Sequence, residues 1–195
     1  MDKILQKRVR EKDLTTKEER DYYSYVKGHI AGVRKAYLML VGKGVVKQTP
    51  ELNDIIAQHD FSKLSEVEFH FYCKKFYENS DGSSEIIPQD TTFQIAKKVH
   101  ELTNKHHWEF WARRDPETGD CVAPALDMPD DYIVEMVCDW MSVGMNKGDL
   151  QDVHTYYESK KEDILLTFKT RTRVEELLDK IKDQNLKNIS EEKEG

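Results

Sequence analysis

Apolar residues along this chain recur at intervals of three and four, and that spacing predicts helices nearly throughout. Tyr22, Val26, Val33, Tyr37 and Leu40 form one such stripe. It follows Thr15-Thr16-Lys17-Glu18-Glu19, where Thr16 and Glu19 stand at capping-box spacing. The stripe runs out at Gly42-Lys43-Gly44, a stop signal. Thr49-Pro50 opens a short second helix, because proline is tolerated at the first helical position. That helix leads into His59-Asp60-Phe61-Ser62-Lys63. Ser65 and Glu68 make another capping box, heading a helix rich in Phe and Tyr that runs through Tyr77. The stretch ENSDGSSEIIPQD over 78–90 then reads as a surface loop. A helix from about Thr91 leads into Asn104-Lys105-His106-His107-Trp108, and the loop RRDPETGDCVAP precedes MPDDYIVEMVCDWMSVG, an amphipathic helix. Two further helices are predicted over 150–169 and 172–184, and the closing NISEEKEG reads as disordered. There is no alternating strand pattern of useful length and no internal repeat. The pattern predicts an all-α fold: an N-terminal segment 1–15, a single helical domain over 16–185 with about seven helices, and a disordered tail over 186–195.

Composition narrows the class of molecule. The 195 residues suffice for one domain with a substantial core. Hydrophobic residues make up 38% and charged residues 34%, with only 9 Gly and 5 Pro, a balance that fits a helical globular protein with a heavily charged surface. The net charge of −7 and the lack of a basic tract argue against a broad grip on nucleic acid. A small anionic substrate stays compatible, because a bound metal supplies local positive charge. Cys73, Cys121 and Cys138 are odd in number and form no CxxC, so they read as reduced thiols in a cytoplasmic compartment. The opening MDKILQKRVREKD has no apolar signal core, and no apolar run approaches the roughly 20 residues of a membrane span.

Helical spacing also places the residues that carry chemistry. His29 falls three after Val26 and four before Val33, and His100 falls four after Ala96, so both point inward. Glu135 and Asp139 share a face, with Asp139 at the edge of an apolar arc of Tyr132, Met136 and Val143. A buried carboxylate there needs a cation or several donors. Each residue taken alone has a plainer reading. His29 would be a hydrogen-bonded core histidine, His106 and His107 polar cover for Trp108 and Trp111, and Lys63 a solvated side chain. Glu66 and Glu68 would be first-turn residues, Glu68 being the capping-box partner, with His70 and His154 on the surface. The combination outweighs those readings: inward His, adjacent His-Asp, inward His, a His pair and an inward Asp, carried by separate helices. Mixed imidazole and carboxylate ligands suit iron, manganese, cobalt or zinc.

The order His29, His59-Asp60, a later His and the distant Asp139 resembles the HD superfamily of metal-dependent phosphohydrolases, and HDFSK is similar to the HD-x-[GS]-K form of its signature. More closely, HDFSK, HELTNKHHWEFW, MPDDYIVEMVCDWMSVG and YYESKKEDILLTFKTRTRVEELL resemble, in that order over residues 20 to 182, an uncharacterised family of bacteria and their phages. The resemblance implies an HD-like domain around a metal site, with ligands at His29, His59, Asp60 and Asp139. His100 and one of His106 or His107 match the extra histidines of dinuclear members. Those histidines usually lie on separate helices, whereas here six or seven residues separate them. Some nucleotidases of the superfamily carry a glutamate where this chain has Lys63. The implied activity is hydrolysis of a nucleotide-like phosphoester with one or two divalent transition metal ions. Lys63 would hold a phosphate or orient a neighbouring carboxylate, and Glu135 would accept from a ligand His or act as general base. The same ligand set supports two alternatives, a diiron oxygenase and a metal-stabilised protein that binds or sequesters without turnover. The expected partner is a small anionic molecule, a nucleotide, with no membrane and no nucleic acid; the oligomeric state stays open.

Overall fold

Local signals start and stop the helices at the polar positions that the pattern marks. The computed structural model describes residues 8–78, 91–115, 117–118, 121–145 and 152–191, and seven α-helices lie among them. They are α1 (Lys17–Gly42), α2 (Pro50–Ala57), α3 (Glu66–Cys73), α4 (Thr91–Thr103), α5 (Asp130–Met145), α6 (Asp152–Lys160) and α7 (Phe168–Glu191). The all-α fold of seven helices is therefore what this sequence forms. At the head of α1 the Glu19 carboxylate accepts from the N–H groups of Thr15 and Thr16, and the Glu19 N–H donates to Thr16 Oγ1. The stop is a Schellman motif: Gly44 takes a left-handed φ of 68°, its N–H donates to the Val41 carbonyl, and the Val45 N–H donates to the Leu40 carbonyl. Thr49 caps α2 by accepting from the Leu52 N–H, with Pro50 at the first position.

The chain divides into two compact units, Met1–Ile30 with Asp60–Asn104, and Ala31–His59 with Lys105–Gly195. In the first, α3 packs on α4 around a core of Tyr22, Val26, Phe69, Tyr72, Phe93 and Ala96. Residues 8–15, which the pattern sets apart as part of an N-terminal segment, join it: Val9 and Leu14 pack on that core, and the Val9 N–H donates to the Leu64 carbonyl. Between Cys73 and Glu78 the α-helix loosens into a π-helical turn over Lys74–Glu78. The loop expected over 78–90 lies, from residue 79 on, outside the described residues.

In the second unit α2, α6 and α7 all pack on α5. Ile133, Val134, Met136, Val137, Cys138 and Met141 are buried, so α5 is apolar around most of its circumference and reads as a core helix. Leu52 and Ile56 of α2 bury against the same core, each contributing about 1.5–3 kcal/mol. Gly32 lets the chain approach α5, since a Cβ there would meet Ser142 Cβ at 3.3 Å. Cys73 and Cys138 are buried, one in each core. No helix among the described residues is long and apolar enough to cross a membrane.

Three details depart from the pattern. The loop RRDPETGDCVAP holds a short antiparallel pair, β1 (Arg113–Arg114) and β2 (Cys121–Ala123), too brief to show alternation; Asp115 Oδ1 accepts from the N–H groups of Glu117 and Thr118 in its turn. The helix expected over 150–169 ends at Lys160. Arg171 ties down the chain that follows, donating to the carbonyls of Lys161 and Ile164, and Thr167 Oγ1 caps α7 through the Thr170 N–H. The apolar run ILLTF carries no Gly or Pro to announce this break. Helix α7 then continues to Glu191, into the segment read as a disordered tail.

Candidate functional site

Asp60 organises the cluster of the first unit. Helix α2 stops at Ala57, and the chain turns at Asp60, whose φ of 54° makes it the non-glycine residue with positive φ among the described residues. A left-handed residue with a Cβ is strained by about 1–3 kcal/mol and persists where its surroundings over-determine it. Here they do. Asp60 is only 1% exposed; its Oδ2 lies 2.6 Å from Lys63 Nζ and 3.2 Å from His29 Nε2, and its Oδ1 lies 3.2 Å from His100 Nε2. The 3₁₀ turn Phe61–Leu64 returns Lys63 beside it, with the Lys63 N–H donating to the Asp60 carbonyl.

The other nitrogen of His100, Nδ1, lies 2.9 Å from Glu68 Oε2, and Ser62 Oγ donates to the same carboxylate oxygen at 3.1 Å. A carboxylate can only accept, so the His100 Nδ1–H donates to Glu68 and Nε2 faces Asp60. Burial pushes the His100 pKa down, but its hydrogen bonds to Asp60 and Glu68 outweigh that and leave it raised above the ordinary histidine value. Asn104 closes the end of α4, donating from its side chain to the His100 carbonyl and to Ser62 Oγ.

Glu135 organises the cluster of the second unit. It sits on α5, 4% exposed, and its Oε1 lies 2.9 Å from His59 Nδ1 and 3.2 Å from His106 Nδ1. Burial alone would raise the Glu135 carboxyl, but the hydrogen bonds from His106 and His59 hold its pKa below the ordinary glutamate value. With Nδ1–H committed to Glu135, a neutral His59 carries its lone pair on Nε2, 3.7 Å from Asp139 Oδ1. Asp139, one turn along α5 from Glu135, keeps 21% of its side chain exposed. His59, His106 and Glu135 each offer a donor atom within 4.8 Å of the others, close enough for one cation to be held by all three. The Trp111 indole N–H donates to the Lys105 carbonyl and fixes the turn that carries the histidine pair.

Each unit brings several of the expected site residues together. His29, Asp60, Lys63 and His100 meet in the first unit; His59, His106, Glu135 and Asp139 meet in the second. Of the adjacent histidines, His106 is the one beside Glu135, while His107 rests its ring against His106 and brings Nδ1 to 3.8 Å from Glu109 Oε2. Lys63 is not merely solvated: its ammonium pairs with the carboxylate three residues before it.

Glu68 is the residue that sequence reasoning missed. The capping box explained it fully, and half of that box is real, since the Glu68 N–H donates to Ser65 Oγ. Its carboxylate turns inward to Ser62 and His100 instead of back to the cap. The signal was its spacing, one turn before Tyr72 and next to Phe69 on the buried face of α3.

A family model described as a family of unknown function, DUF5662, matches residues 18–181. Neither the curated proteins nor the solved structures supply a match. The chain belongs to this family of unknown function.

Proposed function

We propose that this member of a family of unknown function is a metal-dependent phosphohydrolase of the HD type, acting on a nucleotide-like phosphoester. One observation carries the reading: His100 and His59 each donate Nδ1–H to a buried glutamate and direct Nε2 toward an aspartate. Histidines that bind metals are held in this way, because a carboxylate on the far nitrogen fixes the tautomer and raises the basicity of the nitrogen that binds. The donor set of imidazole and carboxylate fits iron, manganese, cobalt or zinc, as one or two ions.

In this reading His29, His59, Asp60 and Asp139 hold metal, with His100, His106 and His107 as the further candidates. A bound ion would supply Lewis-acid polarisation of a phosphoryl oxygen and would lower the pKa of a bound water. Glu68 and Glu135 orient imidazoles. Because Glu135 Oε1 already accepts from two rings, positioning suits it better than service as a general base. Lys63 balances the charge of Asp60 and keeps its carboxylate in place.

The test is elemental analysis of the purified chain, followed by phosphate release from nucleoside monophosphates and ribose 5-phosphate. The expected result is release that a chelator abolishes and that iron, manganese, cobalt or zinc restores. Tight binding with no phosphate released by any metal form would replace hydrolysis with capture, and oxygen uptake by an iron form would replace it with oxygenase chemistry.

A further inference from the structure

The first unit contains a cavity of about 370 Å³ lined by Tyr22, Tyr25, Lys63, Tyr72, Phe76 and Tyr77. Five of its six lining residues are aromatic. Their rings are ordered. Tyr25 and Tyr72 lie within 22° and 13° of the plane of Tyr22, at centroid distances of 6.4 and 6.5 Å. A flat ligand entering in that orientation meets ring faces. The π-helical turn Lys74–Glu78 brings Phe76 and Tyr77 to the same cavity, and such turns are frequent at functional sites.

Tyr22 makes the cavity selective. It is 1% exposed, and its hydroxyl has no hydrogen-bond partner among the described residues. Burial, with Tyr72, Asp60 and Glu68 nearby, pushes its pKa far above the ordinary tyrosine value, so the phenol stays neutral and able to donate. A buried donor without an acceptor is a rare feature that calls for an explanation. Two lining residues also touch the Asp60 cluster: Lys63 pairs with Asp60, and Tyr25 stacks on His29 at 6.5 Å and 10°.

We propose that this cavity is the base-binding subsite of a mononucleotide, in which the tyrosine rings stack on a planar heteroaromatic ring and the Tyr22 hydroxyl donates to a carbonyl oxygen or ring nitrogen of it. The proposal rests on the phosphohydrolase reading for the phosphate end of the ligand. It names the substrate class by its ring: the cavity binds nucleosides and nucleoside monophosphates, and discriminates against sugar phosphates that lack a base. Exposed Tyr25, at 56%, covers the ring from the solvent side, and stacking of this kind tolerates any base.

Calorimetric titration of the full-length, metal-loaded chain tests this. The probes are the four common ribonucleoside 5′-monophosphates, their nucleosides, and ribose 5-phosphate as the baseless reference. At least one monophosphate is expected to bind ten-fold or more tighter than ribose 5-phosphate, and its nucleoside to bind detectably. Tyr25→Ala should cut the advantage of the base about ten-fold. Tyr22→Phe should cut it about three-fold with no loss of melting temperature, because the hydroxyl has no hydrogen-bond partner among the described residues. Loss of the advantage in either variant supports the subsite. No advantage for any base, or an advantage that survives both substitutions, overturns it. The two ideas fail separately: phosphate release from ribose 5-phosphate reports on the metal chemistry, and nucleoside binding reports on the ring site.

Discussion

His100 in one unit and His59 in the other are held alike, each with a buried glutamate on Nδ1 and an aspartate facing Nε2, yet the aspartates differ. Asp60 is enclosed, sits in a left-handed turn, and meets Lys63, His29 and His100. Asp139 lies on a regular helix, with 21% of its side chain open to solvent. The glutamates differ in the opposite sense, since Glu135 serves two imidazoles through one oxygen whereas Glu68 serves one imidazole and a serine hydroxyl. Charge is therefore balanced locally around the aspartate in the first cluster and around the glutamate in the second. His59 of the second cluster and Asp60 of the first are neighbours in the sequence.

The largest contrast is expected between the aspartates. In metal-free protein, Asp60→Ala leaves Lys63 and two imidazoles without their carboxylate and should lower stability by about 3 kcal/mol. Asp139→Ala removes a partly solvated group and should stay within about 1 kcal/mol of the parent chain. Urea melts in the presence of a chelator read the difference, and equal losses would mean that enclosure does not distinguish the two carboxylates. Both variants should lose bound metal by elemental analysis if both clusters supply ligands.

The glutamates should reverse that ranking when metal affinity is measured by competition with a chelating dye. Glu135→Gln disturbs two rings and should weaken binding by about 100-fold, against about 10-fold for Glu68→Gln. A smaller effect at Glu135 would show that His106 takes no part. The two left-handed residues offer a third contrast. Gly44→Ala places a Cβ at φ 68° and should destabilise by about 1 kcal/mol with metal content unchanged, because that turn only ends a helix. The smallest effect is expected at Ser62, whose hydroxyl supports one side of the Glu68–His100 pair: Ser62→Ala should cost about 0.5 kcal/mol in a melt and leave the Glu135 cluster untouched.

Much of this fold is legible in the sequence. Helical period, the Thr16–Glu19 box, Thr49-Pro50 and Gly44 act over a few residues, so the interactions that set α1 and α2 are written locally. The inward faces of His29 and His100 followed from the same period, since a residue three or four positions from buried neighbours shares their burial. Other features depend on groups distant in sequence, and no window along the chain contains them. Helix α6 stops where Arg171 reaches back to carbonyls of Lys161 and Ile164. Glu68 leaves its cap because His100, far along the chain, offers a better donor in a buried place. His106 rather than His107 reaches Glu135 because the Trp111 indole fixes the turn between α4 and α5. Asp60 takes a backbone conformation that its own side chain disfavours, and only Lys63, His29 and His100 gathered around it make that conformation the stable one.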